Sequence, residues 1–182
     1  MRSTKTWLLS LSLLSATVAQ AAGEDFFLKI PGINGESTSR GYEGWIQIDS
    51  FAEGFVNGAS THGSGTGVSA GRTSCQDLHL SKTLDKTSAE LAMAVAMGHH
   101  YAKVYLAAVK TSGDTSVEFL RFTLVNAVIS SVAFAGDSST SARTETLVLR
   151  PAQVDVQYTP QNSDGSPGTP MTATVDCAST FL

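Results

Sequence analysis

The chain has 182 residues, room for one domain or at most two small ones. Lys and Arg number 12 against 16 Asp and Glu, a formal charge of −4, and charged residues are 15% of the chain, below the roughly 25% usual for soluble domains. With 42% apolar residues this balance argues against disorder, the acidic charge argues against a nucleic-acid binder, and no apolar run approaches the ~20 residues of a membrane-spanning helix.

Residues 1–21 read as a secretory signal. Arg2 and Lys5 make a basic start, Trp7 to Val18 is largely apolar, and Ala19-Gln20-Ala21 offers the small residues that a signal peptidase reads. Cleavage is predicted after Ala21, which makes the product secreted or periplasmic and leaves residues 22–182 as one domain. An oxidising compartment then permits a disulfide between Cys75 and Cys177, the two cysteines of the chain. Such a bond would close a loop of about 100 residues, worth ~4–5 kcal/mol in the chain-entropy model. The sequence leaves the pairing open, because it does not fix where the tail bearing Cys177 lies.

Phe26 to Ile30 reads as a strand ended by Pro31-Gly32, with a turn at Asn34-Gly35, and Gly44 to Phe51 reads as a second strand. A polar Gly/Ser/Thr stretch from Gly54 to Ser74 follows, long enough to be a functional loop. Cys75 to Leu80 alternates like a half-buried strand. One helix is predicted: Thr87-x-x-Glu90 has capping-box spacing, Leu91 to Met97 is rich in Ala and Met, and Gly98 suits a left-handed cap. Strands follow at Tyr101–Val109, Val117–Leu124, Val125–Ala135, Thr144–Leu149, Val154–Tyr158 and Met171–Val175, the last after a Gly/Pro loop. The fold class is mainly β, a sandwich or barrel with one helix.

Motifs for chemistry are weak. Gly65-x-Gly67-x-x-Ala70 has dinucleotide-fingerprint spacing, but no helix follows to present its N-terminus to a pyrophosphate. His99 and His100 are adjacent, so on a strand they point to opposite faces and do not share a metal. No Cys-x-x-Cys, nucleophile elbow or paired carboxylates stand out. No catalytic or metal-binding residue, no cofactor and no enzymatic activity are predicted.

The ordered segments resemble the haemolysin-coregulated protein (Hcp) family, the tube protein of type VI secretion systems. The resemblance starts at Phe27-Leu28-Lys29-Ile30-Pro31-Gly32-Ile33-Asn34-Gly35 and passes through Gly44-Trp45-Ile46. It is strongest at Gln76-Asp77-Leu78-x-Leu80-x-Lys82-x-Leu84-Asp85-Lys86-x-Ser88 and Gly98-His99-His100, and it ends at Val156-x-Tyr158-x-Pro160-Gln161. It implies a compact two-sheet β-barrel with one short α-helix, assembling as a hexameric ring whose copies stack into a tube able to carry small effector proteins. The partners implied are further copies of this chain, type VI secretion components and effectors, with no nucleic acid and no membrane span. The long loop 54–74 would reach the neighbouring ring, which makes Asn57, Gly58, Thr61, His62, Gly65, Val68 and Arg72 the candidate stacking residues. Family tube proteins normally lack a cleaved signal, and the tail 161–182 departs from the family's aromatic ending. The alternative reading is therefore an exported paralogue, a periplasmic or extracellular protein-binding module that does not form tubes.

Overall fold

Alternation along single strands sets most of the core. In the strand Leu78–Thr83, residues 78, 80 and 82 are buried while 79 and 83 face outward, the period-two pattern of a sheet with one face against a core. The computed structural model describes residues 23–58, 73–112 and 115–177. In chain order the elements are β1 (Gly23–Lys29), β2 (Ile46–Ile48), β3 (Ser50–Ala52), β4 (Phe55–Asn57), β5 (Thr73–Cys75), β6 (Leu78–Thr83), α1 (Ser88–Met97), β7 (His100–Ser112), β8 (Thr115–Asp137), β9 (Ala142–Arg150), β10 (Gln153–Tyr158) and β11 (Met171–Asp176). Among the described residues the architecture is mainly β with one short helix, as the sequence predicts.

Among the described residues nine strands form one antiparallel sheet in the order β2-β1-β7-β8-β9-β6-β3, with β10 on β8 and β11 on β10, while β4 and β5 form a separate two-stranded ribbon. This corrects the expectation of a closed two-sheet barrel. The two margins of the sheet, β2 and β3, are successive stretches of chain, yet no ladder joins them. A single residue, Asp49, separates β2 from β3, too short a link for the chain to reverse and pair the two with each other, and alternation slips there because Asp49 and Ser50 are both exposed. The Asp49 amide instead donates to the Ser81 carbonyl at 2.8 Å. Around the core, Phe51 meets Phe26 edge-on at 5.0 Å and Phe122 at 5.8 Å, linking β3 to β1 and β8.

The expected break between Val117–Leu124 and Val125–Ala135 is absent, and β8 runs 23 residues without reversing. The stretch holds no Gly or Pro before Gly136. Asn126 at φ 49° and a register slip between Ile129 and Ser131 bend the strand without ending it. Bending lets one strand pair with β7 on one margin and with β10, then β9, on the other.

The main core gathers Leu28, Ile46, Leu78, Leu80, Leu106, Leu124, Leu147, Leu149 and Val154, with Leu91 and Ala94 of α1 packed against it. Replacing Leu78 by Ala is expected to cost about 2–5 kcal/mol in chemical denaturation, and Phe122→Ala a similar amount. A loss under about 0.5 kcal/mol would instead be the behaviour of a surface site. A smaller cluster lies on the opposite face of β1 and β7, where Phe27, Ala107 and Val109 are covered by Tyr42 and Trp45. There the Tyr42 ring stacks on Phe27 at 4.6 Å, and its hydroxyl donates to Glu118 at 2.7 Å. Burial, and then the Glu118 carboxylate, push the Tyr42 hydroxyl well above its ordinary value. Gly35 is needed for close approach, since a Cβ there would clash with the Trp45 carbonyl.

Helix α1 ends as expected, with Gly98 in the left-handed conformation and its amide turned back on Ala94 and Val95. Its start differs from the predicted capping box. Thr87 makes no side-chain cap, and the Asp85 carboxylate accepts both the Thr87 amide at 2.8 Å and the Thr87 hydroxyl at 2.5 Å.

Candidate interaction surface

The long loop is described only at its root. β4 and β5 pair Phe55 with Cys75, Val56 with Ser74 and Asn57 with Thr73. Asn57 and Gly58 lie exposed at the outer end of this ribbon, whereas Thr61, His62, Gly65, Val68 and Arg72 lie outside the described residues. The fingerprint Gly65-x-Gly67-x-x-Ala70 lies outside them too. Phe55 and Val56 are exposed apolar side chains on the ribbon. At its foot the Gln76 amide donates to the Gly54 carbonyl at 2.8 Å.

Cys75 and Cys177 are joined by a disulfide with Cα atoms 5.2 Å apart. Cys177 is buried in the main core cluster, and its amide donates to the Ala152 carbonyl at 2.8 Å. Cys75 is half-buried. The bond therefore fastens the ribbon to the segment that follows β11.

Beside this root sits Glu53, whose two carboxylate oxygens are buried with no hydrogen-bond partner among the described residues. Burial, together with the charge of Asp77, pushes its carboxyl from near 4.5 up to about 7, and the nearby Gly54 amide offsets only part of this. Asp77 itself is held by Arg150, with Nη2 at 2.8 Å and Nε at 3.0 Å. A carboxyl raised in the folded state keeps its proton where the unfolded chain has already lost it. Stability is therefore expected to fall as pH rises from about 4.5 to 7, then level off. Urea midpoints at pH 5 and pH 8 check this: Glu53→Gln should flatten the decline, and an unchanged slope would show that Glu53 does not cause it.

A second cluster was not singled out as a site by sequence reasoning. Lys82 on β6 and Glu145 on β9 are direct cross-strand partners and both fully buried. Lys82 Nζ donates to Glu145 at 2.9 Å and to Asp85 at 3.0 Å, while the Ser88 hydroxyl donates to Glu145 at 2.6 Å. Burial would raise the Asp85 carboxyl, but hydrogen bonds from Thr87 and Lys82 and the lysine charge outweigh it and hold the group below its ordinary value. The usable signal was phase: both charged residues fall in step with inward-facing leucines, Leu78 and Leu80 on β6 and Leu147 and Leu149 on β9. The network ties the start of α1 to two strands, and its Asp85 also lines a surface cavity with Glu36, Gln47, Asp49 and Thr83.

Elsewhere the surface carries large exposed apolar side chains: Met93 and Met97 on α1, Phe134 on β8, and the cross-strand neighbours Tyr158 and Met171. Among the described residues no group of three or more His, Cys, Asp or Glu is placed to hold a metal ion. His99 rests near the Tyr101 ring at 4.8 Å.

These features define a mainly β scaffold that presents a covalently rooted ribbon and dispersed apolar contact points. The family described as type VI secretion system effector, Hcp, matches residues 27–158, and the chain belongs to that family. Protein hcp1 of Pseudomonas aeruginosa is 36% identical over 142 residues, spanning 78% of this chain and 87% of that one. Among solved structures, one described as a type six secretion system protein superposes with a TM-score of 0.80 at 23% identity, over 86% of this chain and 98% of its own. Hcp1 from Salmonella typhimurium superposes at 0.67 with 25% identity, over 86% and 96%.

Proposed function

We propose that this chain is a structural, non-enzymatic subunit of a type VI secretion system, forming six-membered rings that stack into a tube and carry small effectors. The observation that carries this reading is the family match over residues 27–158, which spans the sheet from β1 to β10. Head-to-tail contacts between identical subunits close naturally into rings. The exposed Met93, Met97, Phe134, Tyr158 and Met171 supply apolar surface for such contacts. Asn57, Gly58, Thr61, His62, Gly65, Val68 and Arg72 are the proposed stacking residues. Residues 1–21 are the proposed export signal, which places the working protein in the periplasm or outside the cell as residues 22–182.

The native mass of the exported chain, purified from the periplasm without reductant at tens of micromolar, tests this. A discrete hexamer is expected, and a strict monomer would overturn the ring. Deleting residues 58–71 should leave the circular dichroism of the sheet intact and weaken stacking of rings. Loss of the folded signal in that variant would place the loop in the core. The Cys75–Cys177 bond favours one second reading, an exported paralogue that uses the same scaffold to bind a secreted protein without building tubes.

A further inference from the structure

We propose that β11 is a self-docking edge: two copies of this chain pair their β11 strands antiparallel about a two-fold axis through Ala173. This goes beyond the ring reading, since one surface pairing with itself is not the head-to-tail contact that closes a ring.

β11 ends the branch that runs from β8 through β10, and among the described residues its outer margin pairs with no strand. The margins β2 and β3 are three residues long, whereas β11 has six. Proteins usually blunt a long edge with lysine, proline or a bulge. β11 holds neither residue, and its register with β10 shows no shift. Two bonds fix which of its main-chain groups face outward. The Cys177 amide donates to the Ala152 carbonyl, and the Thr159 amide donates to the Phe119 carbonyl. Combined with the pairing of β10 to β11 and to β8, both bonds turn the main chain of residues 171, 173 and 175 toward β10. The amides and carbonyls of Thr172 and Thr174 therefore point away from the sheet.

Side chains add a second observation. Met171, Ala173 and Val175 are cross-strand partners of Tyr158, Val156 and Val154, so the six share a face. It is the core face, with Val154 fully buried and Val156 packed against the cluster. Cover runs out toward the margin, where Tyr158 is 46% and Met171 60% exposed. The opposite face is polar and bonded within itself, the Thr174 hydroxyl and the Gln153 amide both donating to Asp155. The Cys75–Cys177 bond brings β5 to the far end of β11 and leaves residues 171–174 exposed. An uncovered apolar face beside an unpaired edge fits a strand of the same alternation.

β11 is itself such a strand. With Ala173 opposite Ala173 of the second copy, Thr172 meets Thr174 and Met171 meets Val175, each twice. The two Thr172–Thr174 pairs exchange four main-chain hydrogen bonds through the outward groups. Apolar side chains meet on the core face and threonines on the other. The central pair is of the non-hydrogen-bonded kind, with Cα atoms about 4.5 Å apart, where the small alanine fits. Asp176 falls opposite Pro170, so the two carboxylates do not oppose each other.

One strand per copy is a small contact, below the ~1,200 Å² of stable interfaces, so a covalent trap is the readout. In the exported chain with its native disulfide formed, Ala173→Cys places the two new thiols on Cα atoms within the roughly 4.4–6.8 Å that a disulfide spans. Air oxidation at hundreds of micromolar should convert most of this variant to a covalent dimer on a non-reducing denaturing gel. Thr172→Cys is the control: its two copies lie on a diagonal of roughly 7–8 Å, and at least about tenfold less dimer is expected. Adding Thr172→Pro to Ala173→Cys removes an outward amide and leaves the bonds to β10 whole. Cross-linking should fall at least about tenfold, with the circular dichroism of the sheet unchanged. No dimer at position 173, equal dimer at 172 and 173, or a yield untouched by Thr172→Pro would each overturn the proposal. Native mass of the same samples reads the ring separately. A hexamer without the cross-link overturns the edge contact and leaves the ring. The cross-link without any hexamer supports the edge contact and overturns the ring.

Discussion

Lys82→Ala is expected to destabilise the protein by about 3–5 kcal/mol, a large share of the roughly 5–15 kcal/mol that holds a typical domain together. Lys82 is fully buried and faces Glu145, fully buried as well, at 2.9 Å. Removing the ammonium leaves the Glu145 carboxylate in the core with the Ser88 hydroxyl as its remaining donor at 2.6 Å, and among the described residues its second oxygen has no partner even with Lys82 present. Asp85 loses a donor in the same step, although the Thr87 amide and hydroxyl still hold it. The cost is that of an uncompensated buried charge, more than that of a lost attraction. Replacing the pair together, Lys82→Met with Glu145→Leu, should therefore cost far less than the sum of the single changes. Urea unfolding of the two single variants and the double variant reads this directly. Additive losses would show that each side chain is held independently and that the pair is not a unit.

Much of this architecture was legible because it rests on local periodicity. β6, β9 and β10 announce themselves through alternating apolar residues, and Gly98 marks the end of α1 through a conformation that other residues adopt at a cost. What failed to read across was long-range. The continuity of β8 depends on partners placed on both of its margins, which is why the stretch read as two strands, Val117–Leu124 and Val125–Ala135, when it is one strand bent at Asn126. The slip of one residue in phase at Asp49 and Ser50 is likewise something that composition does not register. The capping box failed for a related reason: Thr-x-x-Glu has the right spacing, but Asp85, two residues earlier, already accepts the Thr87 amide and hydroxyl. Glu53 carried no signal at all. Its burial comes from the chain around the ribbon's foot, and nothing in its neighbours' sequence marks a carboxyl that keeps its proton near neutrality. The family resemblance, by contrast, was carried by residues spread along the whole sheet, which is why it survived these local misreadings.

Removing the disulfide by Cys75→Ala with Cys177→Ala is expected to lower the stability of the folded chain by about 4–5 kcal/mol, through a different physical route. The two cysteines are 102 residues apart in sequence. With the bond intact, the unfolded chain remains a closed loop over more than half its length and has fewer conformations to gain on unfolding. The folded state changes little, since Ala at position 177 leaves an apolar group in an apolar cluster and Ala at position 75 lies half-exposed. Because the effect sits in the unfolded ensemble, it should also show in the slope of the denaturation curve: without the bond the unfolded chain is more extended, exposes more surface and gives a larger m-value. The Lys82 variant should lower the midpoint with no such change in slope. A double Ala variant that loses less than about 1 kcal/mol with an unaltered m-value would show that the unfolded chain is already compact between residues 75 and 177, and that the bond restrains the ribbon without stabilising the fold.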